Sequence, residues 1–418
     1  MQPSQISFKE LLAIGLMLFS LFFGAGNLIF PPALGQAAGT EIWVAMLGFL
    51  VTGVGLPLLG VLSLGLTGSD DAHALASRVH PVFATVLIVA TYLTIGPFFA
   101  IPRTGAVSYE IAIRPFLVDI PSTLGLGLYT VIFFVITAWL ALNPSKIVDR
   151  VGKILTPILL LVLTMLVVNA FINPLGDIQS PEESFSNHAF FKGFQEGYLT
   201  MDTLASIVFG IIVINAVKAR GVTGKKDIAK ACSAAGLVAT TCLGLIYVAL
   251  AYLGATSTTV IGKASNGGVI LAQVTNLYYG SAGKIILGLA IFFACLTTSI
   301  GLVSACASFF EKMLPRFNYR QWVLMVSGFS LVVANVGLDQ LINLSIPVLV
   351  TIYPMVIVLI GLTFVESLFD KRSEVYRCSM LFTGLVSVVD GLKAAGMSLG
   401  TIDTFLLKHL PLFDTSMG

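Results

Sequence analysis

Residues 22–32 read Phe-Phe-Gly-Ala-Gly-Asn-Leu-Ile-Phe-Pro-Pro and lie at the end of a long apolar run. The glycines at positions 24 and 26 weaken a helix because glycine loses much backbone entropy on folding, and two prolines follow soon after. Peptide groups freed by a break are tolerated at membrane depth only where they line a cavity or meet a ligand. The stretch therefore predicts a membrane helix that stops near Gly24 and begins again near Asn27.

The new helix N-terminus at this break is a candidate binding site. The N–H groups of Ala25 and Gly26 would lie at the N-terminus of the new helix. The partial positive charge of a helix N-terminus favours a carboxylate. The alternative is an unbroken helix whose small residues allow close contact with a neighbouring helix.

The composition identifies the surroundings of this helix. Of the 418 residues, 56% are hydrophobic and 11% are charged, whereas soluble domains have about 25% charged residues. So many apolar residues need a second apolar environment, which predicts the lipid bilayer as a partner. The formal net charge of +2 provides no basic surface, so nucleic acid is not expected as a partner.

The apolar residues cluster into runs that could cross a membrane as helices. A span needs roughly 20 predominantly apolar residues, and the sequence predicts an all-α protein with 11 such spans. The predicted spans cover residues 11–30, 42–66, 82–101, 124–142, 154–172, 197–217, 229–253, 285–310, 322–336, 341–365 and 376–392.

The basic residues predict the orientation. With the N-terminus in the cytoplasm, 16 of the 23 Lys and Arg residues fall in cytoplasmic segments, as the positive-inside rule requires. Arg103 is then assigned to an outer loop. A second outer loop, residues 255–284, contains an apolar stretch, Val269 to Tyr279, which we expect to lie along the membrane surface or dip into it. The amphipathic tail segment from Leu399 to Leu410 is expected in the interface.

Asp202 is the one acidic residue within the apolar run of the sixth span. A charge at membrane depth is costly, so it normally faces a cavity or a partner, here a cation or a substrate amino group. The alternative is that Asp202 lies high enough to be solvated. Its span comes five spans after the Gly24 break, and paired interruptions in two halves are typical of transporters built from inverted repeats.

The eighth span carries a candidate cation site. Ala294, Thr297 and Thr298 share one helix face, and their hydroxyl and carbonyl oxygens are the hard ligands that a small cation prefers. The alternative is that each threonine bonds only to its own helix.

Catalytic and nucleotide-binding patterns are absent from the sequence. All four histidines fall outside the apolar runs, and no glycine-rich phosphate loop occurs. We therefore expect a protein that is not an enzyme, binds no nucleotide or organic cofactor, and depends on an ion gradient.

Four stretches carry a family resemblance: residues 22–35 (FFGAGNLIFPPALG), 95–110 (IGPFFAIPRTGAVSYE), 198–210 (YLTMDTLASIVFG) and 295–301 (CLTTSIG). With the order of the spans, they resemble the bacterial branched-chain amino acid carriers, the Leu/Ile/Val:cation symporters. The resemblance implies a LeuT-type fold in the bacterial inner membrane, with discontinuous helices 1 and 6. The implied parts of this single transport domain are a five-helix repeat over 9–173, an inverted repeat over 190–366, and an extra helix and tail over 374–418.

The same resemblance implies roles for particular residues. The break at Gly24, through the N–H groups of Ala25 and Gly26, would hold the substrate carboxylate. Carbonyl groups around Thr203 and Ser206 would receive its ammonium group. The remaining implied residues are Phe209 in an apolar pocket, Ser20, Phe23, Ala294, Thr297 and Thr298 around Na⁺, and Asn27 at a possible second cation.

We therefore expect symport of Leu, Ile or Val with Na⁺ or H⁺ as the coupling ion. The alternative is an uncoupled facilitator or channel, which would need a continuous polar lining. The resemblance also implies a twelfth span, which this sequence does not contain. It would lie outside the repeats, so we expect the binding site to be intact. The sequence gives no indication of oligomeric state.

Overall fold

The computed structural model describes residues 6–67, 72–117, 121–142, 146–222, 224–370, 372–410 and 413. Every regular element in this part of the chain is helical, which confirms the predicted all-α class. The α-helices are α1 (Phe8–Phe22), α2 (Ala25–Ala38), α3 (Ile42–Leu50), α4 (Leu56–Thr67), α5 (Ala72–Ala76), α6 (Pro81–Leu93), α7 (Ala100–Ser108), α8 (Ser122–Leu142), α9 (Lys146–Ile172), α10 (Glu183–Ser186), α11 (Ala189–Glu196), α12 (Asp202–Lys218), α13 (Lys225–Ile261), α14 (Gly267–Met313), α15 (Tyr319–Ala334), α16 (Leu338–Phe364), α17 (Ser373–Ala394) and α18 (Thr401–His409).

Many of these helices have the length and composition of membrane spans. Seven in the described ranges satisfy both criteria, and an eighth is the bent pair formed by 189–200 and 202–218. Other predicted spans are shorter helices, such as α1 with 15 residues and α15 with 16. The predicted total of 11 is therefore not confirmed, although helices occupy each predicted segment.

The outer surface of the bundle carries apolar side chains. Val332 is 70% exposed and Leu245 is 69% exposed, a pattern that is stable only against lipid. Trp43 and Trp139 are also more than half exposed, as expected of indole rings in the interface.

The first predicted break is present between α1 and α2. Phe23 has φ −71° and ψ 91°, and Gly24 has φ −123° and ψ −165°, so the chain is extended for these two residues. The helix resumes at Ala25, two residues earlier than predicted. The alternative of an unbroken helix is wrong.

The second break lies between α11 and α12. A turn of 3₁₀ helix over Gly197–Thr200 ends at Met201, which has φ 64° in the left-handed region, and the two helical parts are bent by 46°. The prediction that this span begins near Gly197 is wrong, because the helix begins at Ala189. Glycines allow this earlier part to pack closely: a Cβ on Gly193 would lie 1.9 Å from the Ala45 carbonyl oxygen on α3.

The helix after α6 corrects the assignment of Arg103 to an outer loop. A π-turn over Thr94–Phe98, with non-helical angles at Gly96, leads directly into α7, so the helical run continues from Pro81 to Phe116. Arg103 therefore lies within the bundle, where it is 2% exposed. Gly96 and Pro97 bend the run without ending it.

The apolar stretch from Val269 to Tyr279 forms the first part of α14, which turns at Gly280 with φ 60°. This part packs on α2 rather than on lipid alone, since a Cβ on Gly267 would lie 1.8 Å from the Ile29 carbonyl oxygen. In the predicted tail, α18 forms the amphipathic segment. Residues 411–412 and 414–418 lie outside the described part.

Candidate functional site

A cavity lies between the two helix breaks. About 430 Å³ around it is free of protein atoms, a figure that includes space open to solvent. It is bounded by α1, α2, the π-turn before α7, α7, the second break, α12 and α14. Its lining residues are Leu21, Phe22, Gly24, Ala25, Gly26, Asn27, Ile95, Ala100, Arg103, Thr104, Thr200, Met201, Asp202, Ala205, Phe209, Thr298 and Leu302.

The N-terminus of α2 opens into this cavity. Gly24 provides no side-chain cap, and no acidic residue lies in the first turn. The first N–H groups of a helix have no partner within it and carry partial positive charge. Ala25 and Gly26, which were predicted to present these groups, both line the cavity.

Asp202 lies on the opposite side, at the first residue of α12, and is 2% exposed. The alternative that it is solvated at the membrane surface is wrong. Its Oδ2 atom accepts hydrogen bonds from the Asn27 amide nitrogen and from the Tyr247 hydroxyl, each at 2.7 Å. These bonds join α2, α12 and α13 and supply the partners that a buried carboxylate requires.

Asn27 connects both breaks. Its amide oxygen accepts the Gly24 N–H at 3.1 Å, and its amide nitrogen donates to Asp202 and to the Tyr247 hydroxyl. Each polar atom of the side chain is thus engaged within the protein. The predicted role of Asn27 at a second cation stays a prediction.

Arg103, which the pattern of basic residues assigns to an outer loop, is a buried cation. Its Nη1 atom donates to the Leu199 carbonyl oxygen at 2.6 Å, at the end of the first half of the second broken helix. Nη2 is 3.4 Å from the Ser345 hydroxyl, and the guanidinium carbon is 4.9 Å from the centre of the Phe30 ring. The cavity therefore contains one acidic and one basic side chain.

Most of the remaining wall is apolar, with Thr104, Thr200 and Thr298 as its polar members. The Phe22 and Phe209 rings lie 6.2 Å apart between centroids, and Ile95, Ala205 and Leu302 extend this surface. Phe209 thus lies where the resemblance implied. A wall of this kind fits an aliphatic side chain, whose full burial stabilises binding by roughly 1.5–3 kcal/mol.

Of the predicted cation ligands, Thr298 lies in the wall of the cavity. Thr298 faces Gly24, since a Cβ on Gly24 would be 3.1 Å from its methyl carbon and 3.5 Å from its hydroxyl oxygen. The Thr298 hydroxyl is buried without a hydrogen-bond partner, whereas the Thr297 hydroxyl donates to the Ala294 carbonyl at 3.0 Å. The self-bonding alternative therefore describes Thr297 but not Thr298.

Phe23 and Ser20 complete the predicted cation set. Phe23 ends α1, where carbonyl groups lack helical partners, and Ser20 lies one turn earlier and is half-buried. Among the described residues, no group of three or more His, Cys, Asp or Glu side chains could hold a metal. An unpartnered hydroxyl beside a helix end is consistent with a small cation held by neutral oxygens.

Thr203 and Ser206 lie outside the cavity wall. The Thr203 hydroxyl donates to the Thr52 carbonyl at 3.0 Å, and the Ser206 hydroxyl donates to the Thr203 carbonyl at 2.7 Å. The first contact holds α12 against the segment before α4, whereas the second lies within α12. The implied role of nearby carbonyls for the ammonium group stays a prediction, and Thr200, Met201 and Asp202 line the cavity instead.

The residues of this site that the sequence does not predict include Tyr247 and Arg103. Tyr247 lies inside the predicted span 229–253, where a single tyrosine carries no local signal. Arg103 did have a signal, because a helix that continued past Pro102 would have placed a charge at membrane depth.

A helical bundle with an apolar exterior and a cavity between two broken helices belongs to the class of multi-pass membrane transporters. A family model described as "Branched-chain amino acid transport protein" matches residues 7–418, and the chain belongs to this family. The relatives include the branched-chain amino acid permease BraB of Bacillus subtilis, 54% identical over 98% of this chain and 92% of that protein. The permease BrnQ of Escherichia coli K12 is 41% identical over 94% of this chain and 89% of that protein.

Solved structures support the LeuT-type fold. MhsT in complex with L-phenylalanine has a TM-score of 0.61 and 16% identity, covering 94% of this chain and all of MhsT. Mhp1, a nucleobase-cation-symport-1 family transporter, has a TM-score of 0.60 in a closed conformation, with 12% identity over 96% of this chain and 94% of Mhp1. The relatives carry the names of permeases and carriers, so the family is one of transport proteins and not of enzymes.

Proposed function

We propose that this protein is a secondary active transporter that imports leucine, isoleucine or valine together with a cation, by alternating access around the cavity between the two broken helices. Na⁺ is the preferred coupling ion and H⁺ the second candidate. The observation that carries the proposal is the juxtaposition of the bare α2 N-terminus, an aliphatic wall and the unpartnered Thr298 hydroxyl around one cavity.

The cavity supports an amino acid as the substrate. The first N–H groups of α2 suit a carboxylate, and the wall around Phe22 and Phe209 suits a branched aliphatic side chain. Asp202 places an acceptor at the opposite side, near the position expected for an ammonium group. The printed names of the relatives, which are branched-chain amino acid permeases, agree with this assignment.

The edge of the cavity supports a cation. The backbone at the end of α1, at Ser20 and Phe23, together with Ala294, Thr297 and Thr298 of α14, would hold Na⁺ through neutral oxygens. A bound cation would place positive charge between the oxygen ligands of α1 and those of α14. It would therefore stabilise the conformation in which the two helices are in contact. Binding of ion and substrate would then shift the same conformational equilibrium.

The proposed orientation has the N-terminus in the cytoplasm. Because Arg103 lies in the bundle and not in an outer loop, the outer side has one basic residue fewer than predicted. This strengthens the positive-inside bias.

Uptake of labelled leucine into proteoliposomes tests the coupling. We expect uptake against a concentration gradient when a sodium gradient is applied, and collapse when that gradient is removed. Saturable uptake that is indifferent to both sodium and proton gradients would favour the uncoupled facilitator and contradict the proposal.

Two substitutions at one position test the cation site. In Thr298→Ala the hydroxyl is lost, so we expect the sodium concentration for half-maximal uptake to rise by about tenfold, the equivalent of one lost ligand at about 1.4 kcal/mol. Thr298→Ser keeps the hydroxyl and removes only a methyl group, so its sodium dependence should stay close to that of the unmodified protein. Equal sodium dependence in both variants would remove Thr298 from the site.

A further inference from the structure

Arg103 carries a positive charge in the centre of the bundle without a balancing anion. The side chain is 2% exposed and lines the cavity, and a guanidinium stays protonated even when buried. Within the described ranges, Arg103 forms no ion pair. A buried charge without a counter-charge is strongly unfavourable, so the position calls for an anionic partner.

The hydrogen bonds of Arg103 leave part of its donor capacity unused. A guanidinium has five N–H donors. One meets the Leu199 carbonyl at 2.6 Å, a second makes a long contact of 3.4 Å with the Ser345 hydroxyl, and Nε is buried with no partner. The Ser345 hydroxyl itself donates to the Ile342 carbonyl at 2.7 Å. These neutral contacts do not balance the charge.

The guanidinium also lies beside the N-terminus of α2. A Cβ on Gly26 would be 3.2 Å from Nη1, so the charged group approaches the first turn of that helix directly. The helix N-terminus is itself partly positive. Two positive groups at this separation repel each other unless an anion binds between them.

Asp202 does not supply that anion. It lines the same cavity, but its Oδ2 atom is held by the Asn27 amide and the Tyr247 hydroxyl on the side of α13. The acid of this cavity thus has protein donors, whereas the cation of the cavity lacks an acceptor of opposite charge. The missing group is an anion small enough to enter this cavity.

We propose that Arg103 binds the carboxylate of the transported amino acid, together with the bare N-terminus of α2. The inference rests on the proposed function and adds to it a residue that determines substrate class. The fork of a guanidinium matches the two oxygens of a carboxylate. The site should therefore select compounds with a free carboxylate and reject amides and amines with the same aliphatic side chain.

The test compares leucine with leucinamide, which keeps the ammonium group and the side chain but lacks the carboxylate. Both are measured as inhibitors of labelled isoleucine uptake in proteoliposomes. We expect Arg103→Gln to weaken leucine binding by at least about 30-fold, since one partner of a buried charge pair is lost, and to leave leucinamide binding nearly unchanged. The preference for leucine over leucinamide should then be lost.

Arg103→Lys keeps the charge without the fork, so we expect an intermediate preference for leucine. Arg114→Gln is the matched control, because Arg114 lies in the same helical run but is exposed and pairs with Glu110. The preference of this variant for leucine over leucinamide should equal that of the unmodified protein. If residual uptake by Arg103→Gln is too low to measure, the lysine variant decides the question.

The outcomes separate this inference from the proposed function. If the unmodified protein takes up neither leucine nor isoleucine, the proposed function fails and the inference with it. A second outcome is that the unmodified protein transports leucine and isoleucine, but the Arg103 variants lose leucine binding and leucinamide binding equally. Arg103 then has only a structural role through its hydrogen bond to the Leu199 carbonyl, and the inference alone is overturned. An unchanged preference in Arg103→Lys and Arg103→Gln overturns it as well.

Discussion

The two broken helices differ in how each break is made and in what occupies the new N-terminus. At the first break, Phe23 and Gly24 are extended, and α2 begins with Ala25 and Gly26 and no acidic residue. At the second break, Met201 adopts left-handed angles, and α12 begins with Asp202. One positive helix end is therefore bare, whereas the other carries an acid.

This asymmetry determines what the cavity can accept. Where Asp202 begins α12, a negative side chain compensates the helix dipole and is held by Asn27 and Tyr247. Where α2 begins, the cation Arg103 brings its Nη1 atom close to Gly26, whereas Asp202 is bonded there to the Asn27 amide. Under the proposed function, a zwitterion would bind with its carboxylate at the first break and its ammonium group toward the second.

The largest effect is expected from removing the acid at the second break. Asp202→Ala leaves the Asn27 amide and the Tyr247 hydroxyl buried without their acceptor, at about 1–3 kcal/mol each, so leucine uptake should fall at least about 100-fold. The measurement is uptake at equal amounts of protein in proteoliposomes. Asp177→Ala is the control, because Asp177 is exposed on the segment before α10. Normal uptake by Asp202→Ala would mean that the acid at the second break is not needed for transport, so that the two breaks are equivalent in this respect.

A smaller effect is expected from crowding the first break. In Gly26→Ala the added methyl would lie 3.2 Å from Arg103 Nη1 and 3.3 Å from the Phe30 ring, so it covers the helix N-terminus. We expect a roughly tenfold rise in the leucine concentration for half-maximal uptake, equivalent to the loss of one hydrogen bond.

Gly328→Ala is the matched control for this substitution. Gly328 lies within α15, and a Cβ there would meet nothing within 4 Å. Uptake by this variant should be unchanged. If both alanine variants behave alike, the first break is not the place where the carboxylate binds.

The smallest effect on transport is expected from the backbone of the second break. A β-branched residue is strongly disfavoured in the left-handed region, so Met201→Ile should lower the free energy of unfolding by about 1–2 kcal/mol. Met201→Leu keeps an unbranched Cβ in the same buried position and should lower it less. Thermal inactivation in detergent, measured with leucine present, compares the two. Equal midpoint temperatures of inactivation for Met201→Ile and Met201→Leu would mean that the left-handed turn contributes nothing to stability.

The sequence determined the features that depend on composition and on local backbone preference. The excess of apolar residues required lipid, two glycines around Ala25 predicted the first break, and a lone acid identified Asp202 as a buried group. Thr298 was singled out in the same way, from its position on one face of a helix, and its role at a cation stays a prediction. Each of these inferences needed only residues within a few turns of one another.

The tertiary structure alone decided which distant groups meet. Asn27 and Asp202 are separated by 175 residues, and Asn27 and Tyr247 by 220, so no local pattern could pair them. The start of the sixth span at Ala189 depends on packing against α3, and Arg103 lies inside the bundle because a π-turn allows its helix to continue past Pro97. The physical reason is that a buried polar group must find its partner in three dimensions, whereas the sequence records only that such a group is present.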